Sequence, residues 1–588
     1  MTQRFPLCHC SRRAFAPWLS ISLMFLVAPP SRATIYVVSS TADGGAGTLR
    51  NQITAANANP GADQIIFAIS GTGPHTIQPL SALPTIADTL TIDGYTQAGS
   101  SPASGMTPAT LMIMLDGSQA GFSASGFKIM AGGCVARGLA IGNFGKSGIY
   151  IENAGGALIE GNHIGTDVSG TAAAGNQIEG VLLLNAWNNS VGGVAAGQRN
   201  VISGGVNYGV WIAGSASAGN VVLGNYIGTD ASGSSALGNG INGICLNSCH
   251  DNTVGGAIEG ARNVIAGNFG RGIDLLDNAE HNEIQGNSIG VNAFGEPLGN
   301  GGPGILFLGE NIENNRIGGL IEGEGNLIGH NGGHGIAGFG ASCVGNTFLS
   351  NSIRSNGGLG ISLAGTDPTP NDPDDGDTGC NNLQNHPILA INDPGPPLTL
   401  VDVYLNSTPS TTFHFEFFSN EGLDDTGFGE GETYLGWASW TTDGSGDAAF
   451  TVFFDPPVLQ GHTITATATD PSGNTSEFSQ VARIGPGIGL AGAIAPGILE
   501  LGWTEFPGVV EYWTYGAAQN PYFVPEFVPP YAHRIDVYPA GTTTTGYPYG
   551  IGDADWNWTY LVAGIGWYGQ VVTISNRFGE WDYAGDIP

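Results

Sequence analysis

Acid–base, metal or thiol chemistry needs side chains gathered closely, and few stretches of this 588-residue chain gather them. One is the run Asp274, Asp277, Glu280, His281 and Glu283. Four acids and an imidazole in one turn could hold a metal or supply one acid–base pair, so Asp274, Asp277, Glu280 and His281 are the candidate catalytic residues. The plainer reading is a solvated acidic turn. A second stretch is 366–379, with five Asp and three Pro. Asp372, Asp374, Asp375 and Asp377 there offer the hard oxygen ligands that Ca²⁺ takes. Their spacing lacks the Gly and the final Glu of an EF-hand loop. Ca²⁺ is the one cofactor expected, with a solvated loop as the alternative. Thiols form the third group. Beyond Cys8 and Cys10 there are five, Cys134, Cys245, Cys249, Cys343 and Cys380, so at least one is unpaired within the chain. Cys245 and Cys249 are the expected disulfide, with two inert thiols as the alternative.

Composition limits what these groups can serve. Gly is 97 of 588 residues and only 11% are charged, yet 41% are hydrophobic. The glycines follow no G-X-Y order, which excludes collagen. Lys+Arg number 16 against 49 Asp+Glu, a formal charge of −33. That charge argues against nucleic acid or an anionic membrane as partner and suits divalent cations and neutral polymers. Residues 1–33 read as a secretory signal peptide: Arg4, Arg12 and Arg13, an apolar run over 14–28, then Ser31-Arg32-Ala33 as a small-x-small cleavage site. Arg12-Arg13 leaves the export route open. No later stretch reaches the ~18 apolar residues of a transmembrane helix. An exported protein, extracellular or at the cell surface, is expected, without a membrane span.

The middle of the chain repeats itself. Gly161-Asn162-His163-Ile164-Gly165-Thr166-Asp167 returns as Gly224-Asn225-Tyr226-Ile227-Gly228-Thr229-Asp230, and again from Gly286 to Gly290. Arg199-Asn200-Val201-Ile202 returns as Arg262-Asn263-Val264-Ile265. A half period shows in the Gly-apolar-x-x starts at Gly148, Gly180, Gly209, Gly243, Gly272, Gly304, Gly335 and Gly360. Each step holds about three short aliphatic runs between Gly and Asn breakers, which leaves no room for a ten-residue helix. Three short strands per turn, stacked many times, is a parallel β-helix, since one coil cannot bury its apolar face alone. Roughly a dozen coils at ~4.8 Å each make a rod of about 50 Å. Asn189, Asn220, Asn252, Asn282, Asn315 and Asn346 recur at matching turns, placed to hydrogen-bond from coil to coil as a ladder. A rod also needs capped ends. The segment 47–57 reads as a short amphipathic helix, with Leu49, Ile53 and Ala56 on one face as the N-terminal plug.

The stretch from Gly47 to Phe67 resembles the CSLREA capping motif of bacterial exported β-helix proteins, with Thr-Leu-Arg-Asn-Gln-Ile in place of Ser-Leu-Arg-Glu-Ala-Ile. The repeated Gly-Asn-x-Ile-Gly-Thr-Asp and Arg-Asn-Val-Ile-Ser-Gly look like coils of the same family. The resemblance, over about residues 34–484, implies a right-handed β-helix of the pectin-lyase-like superfamily. It implies no activity, since that superfamily holds lyases, hydrolases, adhesins and inert rods.

The predicted organisation is all-β. The cap and first coils cover 34–130 and the repeat array 131–365. An acidic, Pro-rich linker over 366–397 leads to an Ig-like β-sandwich over 398–485. A sandwich over 498–588, whose 499–503 and 558–562 resemble fibronectin type III strands, ends the chain.

In Gly-Ile-x-Leu the apolar residues point inward, so one outer face can be read coil by coil. Its first outward position is Tyr150, Leu182, Trp211, Cys245, Asp274, Leu306, Ala337 and Ser362. Glu152 and Asp274 are the acids of this face, four coils or about 19 Å apart, beyond the ~6.5–9.5 Å of an inverting carboxyl pair. Neither Lys nor Arg forms a base cluster on the stripe. Gly333-His334-Gly335 copies the Gly-His-Gly of polygalacturonases but fills an ordinary coil slot and lacks acidic partners. Tyr150, Leu182 and Trp211 fall on successive coils as an apolar ridge. Either another part of the chain covers it, or a polysaccharide or a cell-surface or matrix protein docks there. The expected function is that of a monomeric rod acting as a binding or scaffold module, adhesin-like or carbohydrate-binding. A polysaccharide lyase or glycoside hydrolase is the alternative.

Overall fold

Glycine and asparagine divide the array into apolar runs of two to five residues, and in the computed structural model these runs are strands. The structure describes residues 33–484 apart from 341, 366–367, 392–398, 423–425 and 460, and beyond 484 the strand backbones between 491 and 580. The strands stack into three parallel sheets of 11, 10 and 9 members, the faces of a β-helix. In the third sheet Val181, Val210, Ile244, Ile273, Ile305 and Ile336 are in register. All six are fully buried, one aliphatic column of a core that runs through the coils. The inward half of the strand pattern is therefore as the sequence predicts.

The turns repeat as strictly as the strands. Gly165, Gly228 and Gly290 hold φ of 84°, 89° and 84° in the left-handed region. A Cβ at Gly165 or Gly290 would strike the carbonyl of Ser203 or Gly329 in the next coil. Glycine serves there for conformation and for space. The predicted asparagine column exists: Asn189, Asn220, Asn252, Asn282 and Asn315 each donate Nδ2 to the Oδ1 of the next member, ending at Asn346, whose own Nδ2 donates back to Ile312 O. Two further ladders were not foreseen. One runs through Asn162, Asn200, Asn225, Asn263, Asn287, Asn326 and Asn351, the other through Asn239, Asn268, Asn300, Asn331 and Asn356.

Helix α1, Leu49–Asn57, buries Leu49, Ile53 and Ala56 as predicted, and the Thr48 side chain accepts from Asn51 N–H at its start. Its buried residues join the solenoid core.

At the other end the last coil is closed from downstream. Gly345 N–H donates to Asn474 Oδ1, Phe348 N–H to Thr475 Oγ1, Ser350 N–H to Glu416 Oε2 and Leu363 N–H to Glu477 Oε1. Asn356 donates both its N–H and its Nδ2 to Glu430 Oε1. Phe418 and Phe478, also downstream, belong to the solenoid core.

The expected Cys245–Cys249 disulfide is corrected here. The disulfide joins Cys343 to Cys380, and Cys245 and Cys249 are free and buried. Cys245 takes an outward position in its strand, in register with Trp211, whereas Cys249 faces the core, so the two thiols point to opposite sides. The Cys343–Cys380 link holds Asn381 against the last coil, where its Oδ1 accepts from Asn346 N–H as the final rung of the predicted ladder.

The domain that follows is a two-sheet antiparallel sandwich. One sheet is Ile388–Ile391, Thr399–Asn406 and Asp447–Phe454. The other is Thr433–Thr441, Thr412–Asn420, Thr463–Thr469 and Ala482–Arg483. It begins at Ile388, inside the stretch expected to be linker, because Ile388–Ile391 pairs with Thr399–Asn406. Beyond it, strand backbones form antiparallel sheets of three and five strands, and Ala491–Ala495 is already part of the first. The fold is all-β, as predicted. The proposed signal peptide lies outside the described residues except for Ala33. Among the described residues no helix is long and apolar enough to cross a membrane.

Candidate functional site

The outward column of the third sheet is in the predicted register from Tyr150 through Leu182, Trp211, Cys245, Asp274, Leu306 and Ala337 to Ser362. It divides in two. Tyr150, Leu182 and Trp211 are half-buried. Cys245, Asp274, Leu306, Ala337 and Ser362 are at most 2% exposed, although their positions face away from the core. The open ridge is three strands long.

Charge gathers at its first end. Lys128 Nζ lies 5.2 Å from the centre of the Tyr150 ring and 2.8 Å from Glu152 Oε2. That ammonium, with the Tyr150 hydroxyl, lowers the Glu152 pKa, while burial and the same Glu152 raise that of Tyr150. On the next coil Glu179 is buried and accepts from Ser147 Oγ, and burial raises its pKa.

At the other end Trp211 packs on Tyr208, ring centres 5.4 Å apart. Asp274 Oδ2 accepts from Asn242 Nδ2 and, at 3.3 Å, from the Arg271 guanidinium. Burial lifts the Asp274 carboxyl from 3.8 to about 6, against the pull of Arg271. Burial and then the Asp274 charge push the Cys245 thiol well above its usual range. Two atoms here are buried without a hydrogen-bond partner, Asp274 Oδ1 and Trp211 Nε1. Leaving such a group unpaired costs about 1–3 kcal/mol. Glu179 and Asp274 are three coils apart, about 14 Å at ~4.8 Å per coil, so the two raised carboxyls form no acid–base pair across one bond.

The acidic run around Asp274 is not brought together. Asp274 sits in the third sheet with Asn242 and Arg271. Asp277 and His281 lie in the exposed turn beyond it, and Asp277 Oδ1 accepts from Glu310 N–H. Glu280 bridges to neighbouring turns, and Glu283 opens a strand of the first sheet, 2.9 Å from Arg316. The run turns a corner between two sheets, which spreads its side chains. His334 accepts from Leu359 N–H through Nδ1, a structural bond between coils. Asp167 and Asp230 accept backbone N–H groups within their own turns.

Among the described residues, one group is arranged to share a cation: Asp372, Asp375 and Asp377, with ligand atoms within 4.8 Å of one another. Asp372 Oδ1 and Asp377 Oδ1 are buried and unpartnered. Burial pushes Asp375 up to about 6, and burial with the Asp372 charge raises Asp377. Asp374, named with them from sequence, is exposed and stands outside the group.

Reading the outward positions alone missed Ser147, Glu179, Tyr208, Asn242 and Arg271. Each directly precedes the glycine that opens a third-sheet strand, so the glycine spacing that located the ridge could also have located this flanking column. It brings an arginine to Asp274, which the stripe itself lacks.

Comparison with known proteins adds little to this geometry. No family model matches the chain, and no curated protein matches it. Among solved structures, a double mutant of the periplasmic alginate epimerase AlgG aligns at 14% identity with a TM-score of 0.30, covering 51% of this chain and 60% of that one. Tailspike protein 2 of the Escherichia coli bacteriophage CAB120 aligns at 12% identity with a TM-score of 0.29, covering 77% and 64%. The A-module of the mannuronan C-5 epimerase AlgE4 from Azotobacter vinelandii aligns at 13% with a TM-score of 0.27, covering 56% and 98%. The match thus spans less than two thirds of the AlgG and tailspike chains. Likenesses at this level carry no argument about activity or ligand, and the class of the protein, a parallel β-helix with antiparallel β-domains after it, rests on its own strand register.

Proposed function

We propose that this protein is an exported polysaccharide-directed β-helix whose ligand lies across the third sheet along Tyr150, Leu182 and Trp211, and that it acts as a binding and scaffold module. The observation that carries the reading is the half-open, in-register ridge of two aromatic rings around Leu182, about 10 Å long at ~4.8 Å per strand. Flat rings present large rigid faces to sugars or packed side chains at low entropic cost. Along the third sheet the two raised carboxyls, Glu179 and Asp274, stand about 14 Å apart at ~4.8 Å per coil, beyond the ~6.5–9.5 Å of an inverting pair, which favours binding over cleavage there. The CSLREA-type cap, the signal peptide and an extracellular or surface location belong to the same proposal.

A panel of neutral and acidic polysaccharides tests it, scored for binding and for new reducing or unsaturated ends. Binding by the wild type, weakened by a few kcal/mol in Trp211→Ala, supports the module. Binding by no polysaccharide ends it. One observation favours the enzymatic alternative, namely Asp274, a carboxyl that burial pushes up to about 6 beside the Arg271 guanidinium. New chain ends released by the wild type and lost in Asp274→Ala would replace the scaffold with a lyase or hydrolase.

The proposal extends to a structural Ca²⁺ held by Asp372, Asp375 and Asp377 beside the end of the sandwich strand Thr399–Asn406. The two unpartnered oxygens support it. Ca²⁺ should raise the melting temperature of the wild type and not that of Asp375→Asn, and equal responses would remove the ion.

A further inference from the structure

Trp211, Cys245 and Asp274 occupy one outward position on three successive strands. The outer two are each short of one hydrogen bond, and in complementary senses. Trp211 Nε1–H can only donate, and Asp274 Oδ1 in its ionised carboxylate can only accept. Both atoms are buried and unpartnered, and Asp274 as a whole is 1% exposed. They do not satisfy one another, and two strand spacings, about 9.6 Å, separate their backbones. Between them stands Cys245, the smallest of the three side chains and itself fully buried.

The surroundings describe what would fit. On one side Tyr208 and Trp211 form a tilted pair of rings. On the other, Arg271 reaches over to Asp274 Oδ2 with a side chain that is 36% exposed, against 2% for that of Asp274. The group that completes the site must offer an acceptor to Trp211 and a donor to Asp274, carry an apolar face for the rings, and bring no negative charge toward Asp274 and Glu179. A pyranose ring with free hydroxyls meets all four conditions.

We propose that Tyr208, Trp211, Cys245 and Asp274 form a closed subsite for one uncharged sugar residue, with Arg271 as its lid. Trp211 Nε1–H donates to one hydroxyl and Asp274 Oδ1 accepts from another. Arg271 leaves Asp274 Oδ2 as the sugar enters. The subsite rests on the polysaccharide reading above and adds to it a place and a ligand class.

The intact chain carries its own reporter. Cys245 lies on the floor of the subsite, while Cys134 and Cys249 are buried thiols elsewhere. Iodoacetamide labelling, read thiol by thiol by mass spectrometry, should rise at least tenfold at Cys245 in Arg271→Ala and stay unchanged at Cys134 and Cys249. Cellohexaose and maltohexaose are the neutral probes, and hexagalacturonate is the charged one. A neutral probe should slow Cys245 labelling in Arg271→Ala. Its affinity should fall at least tenfold in Trp211→Phe and in Asp274→Asn, two variants that differ in what they disturb and whose folding is checked by melting.

Unchanged Cys245 labelling in Arg271→Ala would overturn the lid. Probe binding that is lost in Tyr150→Ala but leaves Cys245 unprotected would overturn the subsite alone and keep the ridge. Protection by hexagalacturonate only would overturn the uncharged class. An opened lid with no saccharide bound at all would overturn both the subsite and the polysaccharide reading.

Discussion

The two ends of the solenoid meet the same demand, an exposed strand edge, by different routes. At the N-terminal end a nine-residue helix follows the first strand after ten residues, and its buried face of Leu49, Ile53 and Ala56 closes the core. At the C-terminal end, residues 66 to 129 positions downstream supply the closure, through Glu416, Glu477, Thr475 and Asn474. The first plug is local, and amphipathic spacing announces it. The second is assembled from a sandwich that has its own core, so nothing near the last coil announces it. An edge that collects backbone N–H groups is answered there by carboxylates and hydroxyls, which leaves fewer open donors for edge-to-edge pairing.

Deleting the apolar part of either plug should give the largest effects and tell the ends apart. Phe478→Ala removes a ring that is 3% exposed and packs edge-on against Phe418 at 5.4 Å, at a cost of about 3–5 kcal/mol. Ile53→Ala should cost about 2–4 kcal/mol. In a stacked array each loss falls mainly on neighbouring coils. Hydrogen exchange should therefore quicken around Ile361 in the first variant and around Ile65 in the second. Equal quickening along the whole rod would show one cooperative unit and dissolve the distinction.

The disulfide sharpens the contrast. Cys343–Cys380 closes a loop of 37 residues at the C-terminal end, worth about 2–4 kcal/mol. A reductant, or Cys343→Ser with Cys380→Ser, should lower the stability of the last coils and leave the exchange of strand Ile35–Val38 unchanged. Cys245→Ser should respond to the reductant as the wild type does.

The buried carboxyl between the two ends gives a pH signature of intermediate size. Asp274 is lifted from 3.8 to about 6 on folding, so the folded chain binds this proton more tightly than the unfolded chain. The contribution is constant below pH ~4, falls as pH rises from ~4 to ~6, and stays low above. Two units correspond to at most ~3 kcal/mol. Denaturant melts at pH 4 and pH 7 should show Asp274→Asn gaining on the wild type by about 2–3 kcal/mol at the higher pH. A constant difference would mean that Arg271 fully compensates the burial.

Thr48→Ala should give the smallest effect, about 1 kcal/mol from the lost cap on Leu49–Asn57, confined to the N-terminal coils.

Periodicity made the coils legible. Gly and Asn at fixed offsets placed Ile149, Val181 and Val210 inside and Tyr150, Leu182 and Trp211 outside, and the strand register agrees. The same spacing held one asparagine ladder in view but not the other two, whose members fall at unequal steps of 24 to 39 residues. The expected Cys245–Cys249 disulfide fails, and its alternative of two unpaired thiols holds, because the backbone sends the two side chains to opposite faces. The acidic run beginning at Asp274 looked like a cluster because adjacency in sequence was taken for adjacency in space, whereas the chain turns from one sheet to another within it.

The sequence alone determined a stacked all-β array with a local helical plug, since each coil repeats a pattern that only stacking can bury and the plug lies within reach of its strand. Tertiary structure decided which outward positions are open and which are shut. It also joined Arg271 to Asp274, Cys343 to Cys380 and Glu477 to the amide of Leu363. The last two contacts span tens of residues without a repeat to betray them. The first depends on which way a side chain leans across the sheet, and a one-dimensional period of residue types carries no record of that direction.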